Sequence, residues 1–538
     1  MFCTQVYRLY SVCEKGVSLI MHSIRSYPWR IYICRIIAVA FIAVLSITIS
    51  SCGTTQYDDN SDSPQGGNFE PLILLPQSEV SHLFYTNPLG VAQIGDPFVL
   101  LSDDGYFYMY ATSGGGGFTG WRSQDMVNWT RLGVVFAPGN FHWGRGDFWA
   151  PEVVFHNGRY YMVYSARWRE NGSLRVGIAV SDSPSGPFVD ALDAPLFDFG
   201  WAAIDGHIFF DDDGKIYLYF SRDCSENVVN GINESHIYVV QMADDLLSII
   251  GEPIMLTRPT QSWEARGSWR WNEGPWMIKH EGIYYLMYSA NYFASREYSL
   301  GYATSDSPLG PFVKSENNPI LHSPPGWTHV SGPGHHSVVR SRDGREMFAV
   351  YHTHTFPNNP SGNRQMQIDR MGFREDGSIF INGPTASPMP MPSTEDGFRN
   401  IAMYASVNVS SAQDRAHLLT DGEIGMTPQS AIRDWVSQEN GVQTVTLTWD
   451  EPKSVTAVMA FPGVGLGANP LQVRIASIGN GGNDAAMDEL VSPPDIPGAA
   501  AIMAFDPIVT TSITLEIHPH SDHIPVRLSE IFVLGRDV

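Results

Sequence analysis

Five stretches of the chain share one hydrophobic rhythm. DGYFYMYAT (104–112), NGRYYMVYS (157–165), DGKIYLYFS (213–221), EGIYYLMYS (281–289) and DGREMFAVY (343–351) each join a polar-glycine dipeptide to an aromatic and aliphatic run. A turn dipeptide followed by such a run is the pattern of a hairpin entering a buried strand. The turn glycines Gly105, Gly158, Gly214, Gly282 and Gly344 are spaced by 53, 56, 68 and 62 residues. Each interval suits a four-stranded unit with its loops, and five such units predict a five-bladed β-propeller over residues 81–385. Two near-identical octamers, SDSPSGPF (181–188) and SDSPLGPF (305–312), follow the third strand of their units. Their Ser, Asp, Pro and Gly residues predict a turn into the outer strand.

The texture changes after residue 385. A Pro-rich stretch, 386–399, reads as a linker. Beyond it VQTVTLTW (442–449), SVTAVMAF (454–461), LQVRIAS (471–477), TSITLEI (511–517) and RLSEIFVLG (527–535) alternate as strands do. They predict an antiparallel β-sandwich over 400–538. The fold class is therefore all-β, a propeller followed by a sandwich.

The N-terminus has a different character. Arg25, Arg30 and Arg35 precede an apolar segment, residues 36–49, that is short for a membrane span. Ile49-Ser50-Ser51-Cys52 follows and resembles a bacterial lipobox, with Ile where the pattern prefers Leu. The resemblance implies a signal segment over 1–52, lipid attachment at Cys52, and export to the periplasm or cell surface. An uncleaved signal anchor is the alternative. Residues 53–80 begin polar and Gly/Ser/Asp-rich and read as a tether. Of five cysteines only Cys52 and Cys224 would remain after cleavage, so no intrachain disulfide is expected. The net charge of −23 argues against nucleic acid and anionic membrane surfaces as partners, leaving the lipid anchor as the membrane contact. A neutral ligand is compatible with it.

Candidate chemistry comes from the repeat itself. Nine residues before each turn glycine stand Asp96, Trp149, Asp205, Glu273 and His335. Equivalent positions at the start of each inner strand face the propeller axis. Three carboxylates, an imidazole and an indole would therefore meet at one channel mouth. Buried carboxylates are costly unless paired or used. Trp149 and Trp276 add flat faces suited to sugar rings, although blade packing explains a tryptophan equally well.

These residues carry a specific resemblance. Gly95-Asp96-Pro97, the WAPE of 149–152, Ile204-Asp205-Gly206, Asn272-Glu273-Gly274-Pro275 and the GPGHHS of 332–337 resemble glycoside hydrolase family 43, over roughly residues 82–385. The family includes arabinofuranosidases, arabinanases and β-xylosidases. The resemblance implies an inverting enzyme with Asp96 as general base, Glu273 as general acid and Asp205 tuning the acid. Its substrate would be an arabinose- or xylose-containing plant cell-wall glycan, with α-L-arabinofuranosidase as the leading activity and β-xylosidase or another family-43 specificity as the alternative. It also implies a pocket-reaching arginine at Arg364 and a channel cation, commonly calcium, near His335. His336 is adjacent and leaves that last assignment open. A core histidine is the bland alternative, and calcium prefers oxygen ligands. No organic cofactor is implied. The segments ASVNVSS (405–411), LLTDGE (418–423) and DWVS (434–437) resemble a discoidin-like module, which implies glycan binding; a buttressing domain is the alternative. A non-catalytic glycan-binding lipoprotein is the rival of another class. It does not require an acid, a base and a modulator together.

Overall fold

A computed structural model describes residues 70–538, apart from 115, 325, 427–429, 464–470 and 480–484. The expected signal segment, Cys52 and most of the tether lie outside the described residues. Five four-stranded antiparallel sheets follow in chain order. Their inner strands are Gly95–Leu101, Trp149–His156, Ala203–Phe210, Asn272–His280 and Gly334–Arg340. The second strands are the five hydrophobic runs read from the sequence. They are almost wholly buried, which explains their continuous apolar character.

The two octamers have a shared task. Tyr110 of blade 1 donates its hydroxyl to the Pro184 carbonyl in the first octamer. Tyr219 of blade 3 does the same to Pro308 of the second, at 2.8 Å. Phe188 N donates to the Val135 carbonyl at 2.7 Å. Each octamer thus turns the chain into the outer strand and fastens its blade to the preceding one.

Among the described residues no strand is shared between blades 1 and 5. The ring closes through an Ala92–Gln365 bridge, hydrogen bonds from Ile94 N to the Arg364 carbonyl (3.3 Å) and from Met366 N to the Val91 carbonyl (2.9 Å), and Asn87 Nδ2 to the Ile368 carbonyl (2.8 Å).

The C-terminal part is a nine-stranded sheet wrapped around its own core. Trp435, Leu447, Ile475, Ile513, Leu515 and Ile531 fill that core. The two predicted strands 442–449 and 454–461 are one strand, Gln443–Pro462, whose pairing slips between Thr448 and Lys453. Such slips let one strand bend from one layer to the next.

Two expectations are corrected here. The stretch 386–399 does not behave as a linker. Pro388–Pro390 pairs with Phe84–Thr86, Arg370 donates to the Pro390 carbonyl at 2.9 Å, and Ser393 N donates to Glu346 at 2.8 Å. Its prolines mark an edge strand, where a missing N–H costs nothing. The last residues of the expected tether are also packed. Glu70–Pro71 pairs in parallel with Ala485–Ala486, and Leu72 and Leu74 rest on the sandwich core.

The two parts share a hydrophobic cluster. Tyr85, Val99, Met109 and Trp121 from the start of the propeller and Phe348, Val350 and Ile368 from its last blade pack with Met389, Ile424, Met426, Met459, Phe461 and Phe532. Ending the chain at residue 385 removes that second group. At roughly 1.5–3 kcal/mol for each large side chain, the loss is on the order of 10 kcal/mol, comparable with the whole stability of a typical domain. The truncated propeller is expected to be insoluble or to lack a cooperative thermal transition by circular dichroism. A melting temperature matching that of the full chain would show that the shared cluster is dispensable.

Candidate active site

All five inner strands enter the channel through one distortion. Gly95, Trp149, Ile204, Glu273 and Gly334 pair with Thr112, Ser165, Ser221, Ser289 and His352 of the second strands. The register slips immediately afterwards in every blade. The next residue is left-handed: Asp96 (φ 54°), Ala150 (46°), Asp205 (56°), Gly274 (55°) and His335 (47°). A bulge of this kind re-aims side chains. Non-glycine residues held there cost on the order of 1–3 kcal/mol, a strain that clusters at functional sites.

Hydrogen bonds between blades hold the bulges. Ala150 N donates to Thr112 Oγ1 (2.8 Å), Asp205 N to Ser165 Oγ (2.9 Å) and His335 N to Ser289 Oγ (2.8 Å). Asp96 N donates to His352 Nδ1 (3.2 Å), which puts the imidazole proton on Nε2. Blade 4 breaks the rule. Gly274 N donates to Asp205 Oδ2 (3.1 Å) instead, and the buried Ser221 hydroxyl is left without a partner. That exchange places the Asp205 carboxylate beside the residue that follows Glu273.

The nine-residue count is not uniform. Asn157-Gly158 and Glu281-Gly282 are two-residue turns with both φ positive, one residue tighter than the count assumes. Asp96, Asp205 and His335 therefore lie on the bulge, whereas Trp149 and Glu273 lie one residue before it.

The carboxylates differ sharply in environment. Asp96 Oδ1 accepts from Arg364 Nη1 at 2.7 Å and lies 3.3 Å from His335 Nδ1. Its Oδ2 accepts from Thr112 Oγ1 at 2.6 Å. Burial alone would raise its pKa, but Arg364, the imidazoles and the Thr112 hydroxyl hold it far below the usual carboxylate range. A Cβ on Gly95 would lie 2.0 Å from the Arg364 guanidinium carbon, so the glycine gives that arginine its approach. Glu273 Oε1 accepts from the Tyr298 hydroxyl at 2.8 Å. Burial first, then the Asp205 charge, push Glu273 well above the ordinary glutamate range. Asp205 is itself pushed up to about 6, mainly by burial. The pair titrates as a unit, with Glu273 keeping its proton to higher pH.

The profile of the glycosyl hydrolases family 43 matches residues 85–379. The chain belongs to glycoside hydrolase family 43. This family-43 enzyme is 31% identical over 274 residues to a β-D-galactofuranosidase of Aspergillus niger, 49% of this chain and 73% of that protein. It is 28% identical over 349 residues to an arabinoxylan arabinofuranohydrolase of Paenibacillus polymyxa, 58% of this chain and 51% of that protein. Among solved structures, a thermostable family-43 glycoside hydrolase is 49% identical, with a TM-score of 0.55, covering 58% of this chain and 100% of that one.

The remaining expected site residues of the family-43 enzyme divide. Arg364 lies against Asp96, its Nη1 2.7 Å from Oδ1. Trp149 stays partly exposed at the mouth, its ring against Leu174, Ala202 and Ile204. Trp276 does not line the pocket as a sugar platform. Its ring contacts Phe98 (5.8 Å), His207 (4.5 Å) and His336 (6.4 Å), one layer deeper in the channel. His335 faces Asp96, but both Asp96 oxygens already accept hydrogen bonds. Among the described residues no three His, Cys, Asp or Glu side chains form a group able to hold a metal. His336 is buried with neither ring nitrogen partnered and is pushed down to about 3 by burial. It offers nitrogen, not the oxygen that calcium prefers. This donor set does not fit a directly ligated calcium.

Sequence reasoning did not name Tyr298, His352 or Thr112. Tyr298 carries no repeat signal. Its ring lies where a Cβ on Gly334 would clash at 2.3 Å, and it stacks on His352 at 5.5 Å.

Proposed function

We propose that the protein is an inverting α-L-arabinofuranosidase acting on arabinose-decorated plant cell-wall glycan. The observation that carries the mechanism is the opposite surroundings of two buried carboxyls on different blades: Asp96 accepts from the Arg364 cation at 2.7 Å, whereas Glu273 accepts from the neutral Tyr298 hydroxyl at 2.8 Å. Asp96 is held ionised by Arg364, as a base for water must be. Glu273 is held protonated by burial and by Asp205, as an acid for the leaving oxygen must be. Water attacks the anomeric carbon and gives its proton to Asp96. The glycosidic oxygen leaves with the proton of Glu273. Asp205 acts through its charge on Glu273 and its hydrogen bond from Gly274 N. Arg364 and Thr112 fix the Asp96 carboxylate, and Tyr298 fixes that of Glu273.

The sugar is read from the relatives. One is named for a galactofuranoside and another for an arabinofuranoside, which supports a five-membered ring in the pocket. The test is a panel of 4-nitrophenyl glycosides followed by proton NMR of the first-formed sugar. The α-L-arabinofuranoside is expected to be cleaved fastest, with β-arabinose appearing before mutarotation. A faster β-D-xyloside would move the specificity to xylose. First-formed α-arabinose would require a nucleophile in place of the base and overturn the assignment of Asp96.

A further inference from the structure

A row of aromatic rings leads away from the catalytic carboxylates. Trp269 and Trp271 stand 6.4 Å apart at 26°, Trp271 and Tyr292 5.5 Å apart at 37°, and Tyr292 and Phe293 4.9 Å apart. The guanidinium of Arg364 lies 4.8 Å over Phe293 while its Nη1 holds Asp96. Trp269 and Tyr292 are each 47% exposed. We propose that this ladder is the binding track for the leaving-group side of an extended glycan, with successive sugar rings stacked along it.

Topology puts the row on the catalytic face. Inner strands start at the channel mouth, so second strands return to it. Loops after second strands, and loops before inner strands, therefore lie at the mouth. Tyr292 and Phe293 follow the second strand of blade 4, Ile283–Ala290, and Trp269 and Trp271 precede its inner strand. Trp271 is two residues ahead of Glu273, so the row flanks the acid. The acid protonates the departing oxygen, which makes its flank the leaving-group side.

The platform is built rather than loose. Trp269–Arg270 pairs in parallel with Ile232–Glu234, itself paired with Val228–Val229. Two strands of this three-stranded sheet are inserted between the second and third strands of blade 3 and the last precedes the inner strand of blade 4, and together they help account for the long 68-residue spacing in the repeat. Beneath it Glu234, 1% exposed, is held by Arg258 (2.9 Å), His236 (3.0 Å) and Arg270 (3.8 Å). A pinned sheet presenting half-exposed tryptophan to water is costly for folding alone and suits a ligand with flat apolar faces and polar edges. Continuity through Phe293 and Arg364 to Asp96 makes that ligand the polymer being trimmed.

The inference rests on the glycosidase reading, but its test can separate the two. Linear xylopentaose, which carries no arabinose to release, is titrated into Glu273→Gln by intrinsic fluorescence, alone and combined with Trp269→Ala, Trp271→Ala or Tyr292→Ala. Each combination is expected to weaken binding roughly five- to tenfold, and Trp271→Phe, which keeps a flat ring, to restore most of it. In the active enzyme the same alanine variants are expected to lose more kcat/KM on arabinoxylo-oligosaccharide than on the aryl arabinofuranoside, through KM. Inhibition by free arabinose should not follow the ladder. Unchanged xylopentaose binding, or equal losses on the two substrates, would overturn the track. Weakened xylopentaose binding in an enzyme that does not cleave arabinofuranosides would leave the track standing and refute the proposed specificity.

Discussion

Asp96→Asn is expected to lower kcat by about 10²–10⁴-fold on every substrate, whatever its leaving group. The asparagine keeps the size of the side chain and its amide oxygen can still accept from Arg364, but its amide nitrogen cannot accept from Thr112, and it cannot take a proton from water. It also leaves the Arg364 guanidinium, partly buried beside Asp96, without its counter-charge. A fall in melting temperature is therefore expected alongside the loss of rate, and the two are separated by measuring kcat well below the transition. Losses smaller than about tenfold in a folded variant would remove Asp96 from the chemistry. The wild-type acid limb should lie low, because the influences around Asp96 keep it ionised far into acid. Arg364→Ala should pull that limb upward, since burial is then less opposed.

Glu273→Gln separates substrates where Asp96→Asn does not. An oligosaccharide leaves as a poor alkoxide and needs its proton, so about 10²–10⁴-fold should be lost there. An activated aryl glycoside leaves as a stable phenolate and should lose far less. Equal losses would show that Glu273 does not protonate the leaving oxygen. Asp205→Asn tests the tuning. Glu273 is active when protonated, and the Asp205 charge helps keep it so. Without that charge the glutamate pKa falls, and the alkaline limb of kcat/KM moves to lower pH. Burial still acts, so part of the upward shift persists. An unmoved alkaline limb would leave Asp205 a purely structural bulge residue.

The site was legible in the chain to an unusual depth because the fold is periodic. Asp96, Asp205 and His335 were reached by counting, and each lies on the bulge at the head of its inner strand. Glu273 was reached by a count one residue out of phase, which the tighter turn at Glu281-Gly282 explains. The partners that hold the bulges were written in the same repeat. Four copies end in a hydroxyl, of which Thr112, Ser165 and Ser289 hold bulges while Ser221 stays unpartnered, and His352 follows the fifth one residue late. Tyr298 was not legible, since it lies in the connection between second and third strands, whose length changes from blade to blade. For Trp276 the sequence left a sugar platform and blade packing equally open, because an aromatic beside a carboxylate in sequence can face the next layer of a strand in space; its ring lies against Phe98 and His207. The supposed linker was misread for a related reason. Proline marks both a free tether and an edge strand, and only the packing of Met389 and its neighbours distinguishes them.

Among the described residues the ring closes between blades 1 and 5 without a shared strand, and the reactive centre straddles that joint. Asp96 hangs on one side, Arg364 and His352 on the other. The sandwich packs where the two blades meet, like a buckle on a belt. A slight parting there would release the carboxylate from its cation while leaving every blade intact. Heat should thus silence the enzyme before it melts it, and the distant C-terminal sheet becomes a part of the catalyst's thermal fuse.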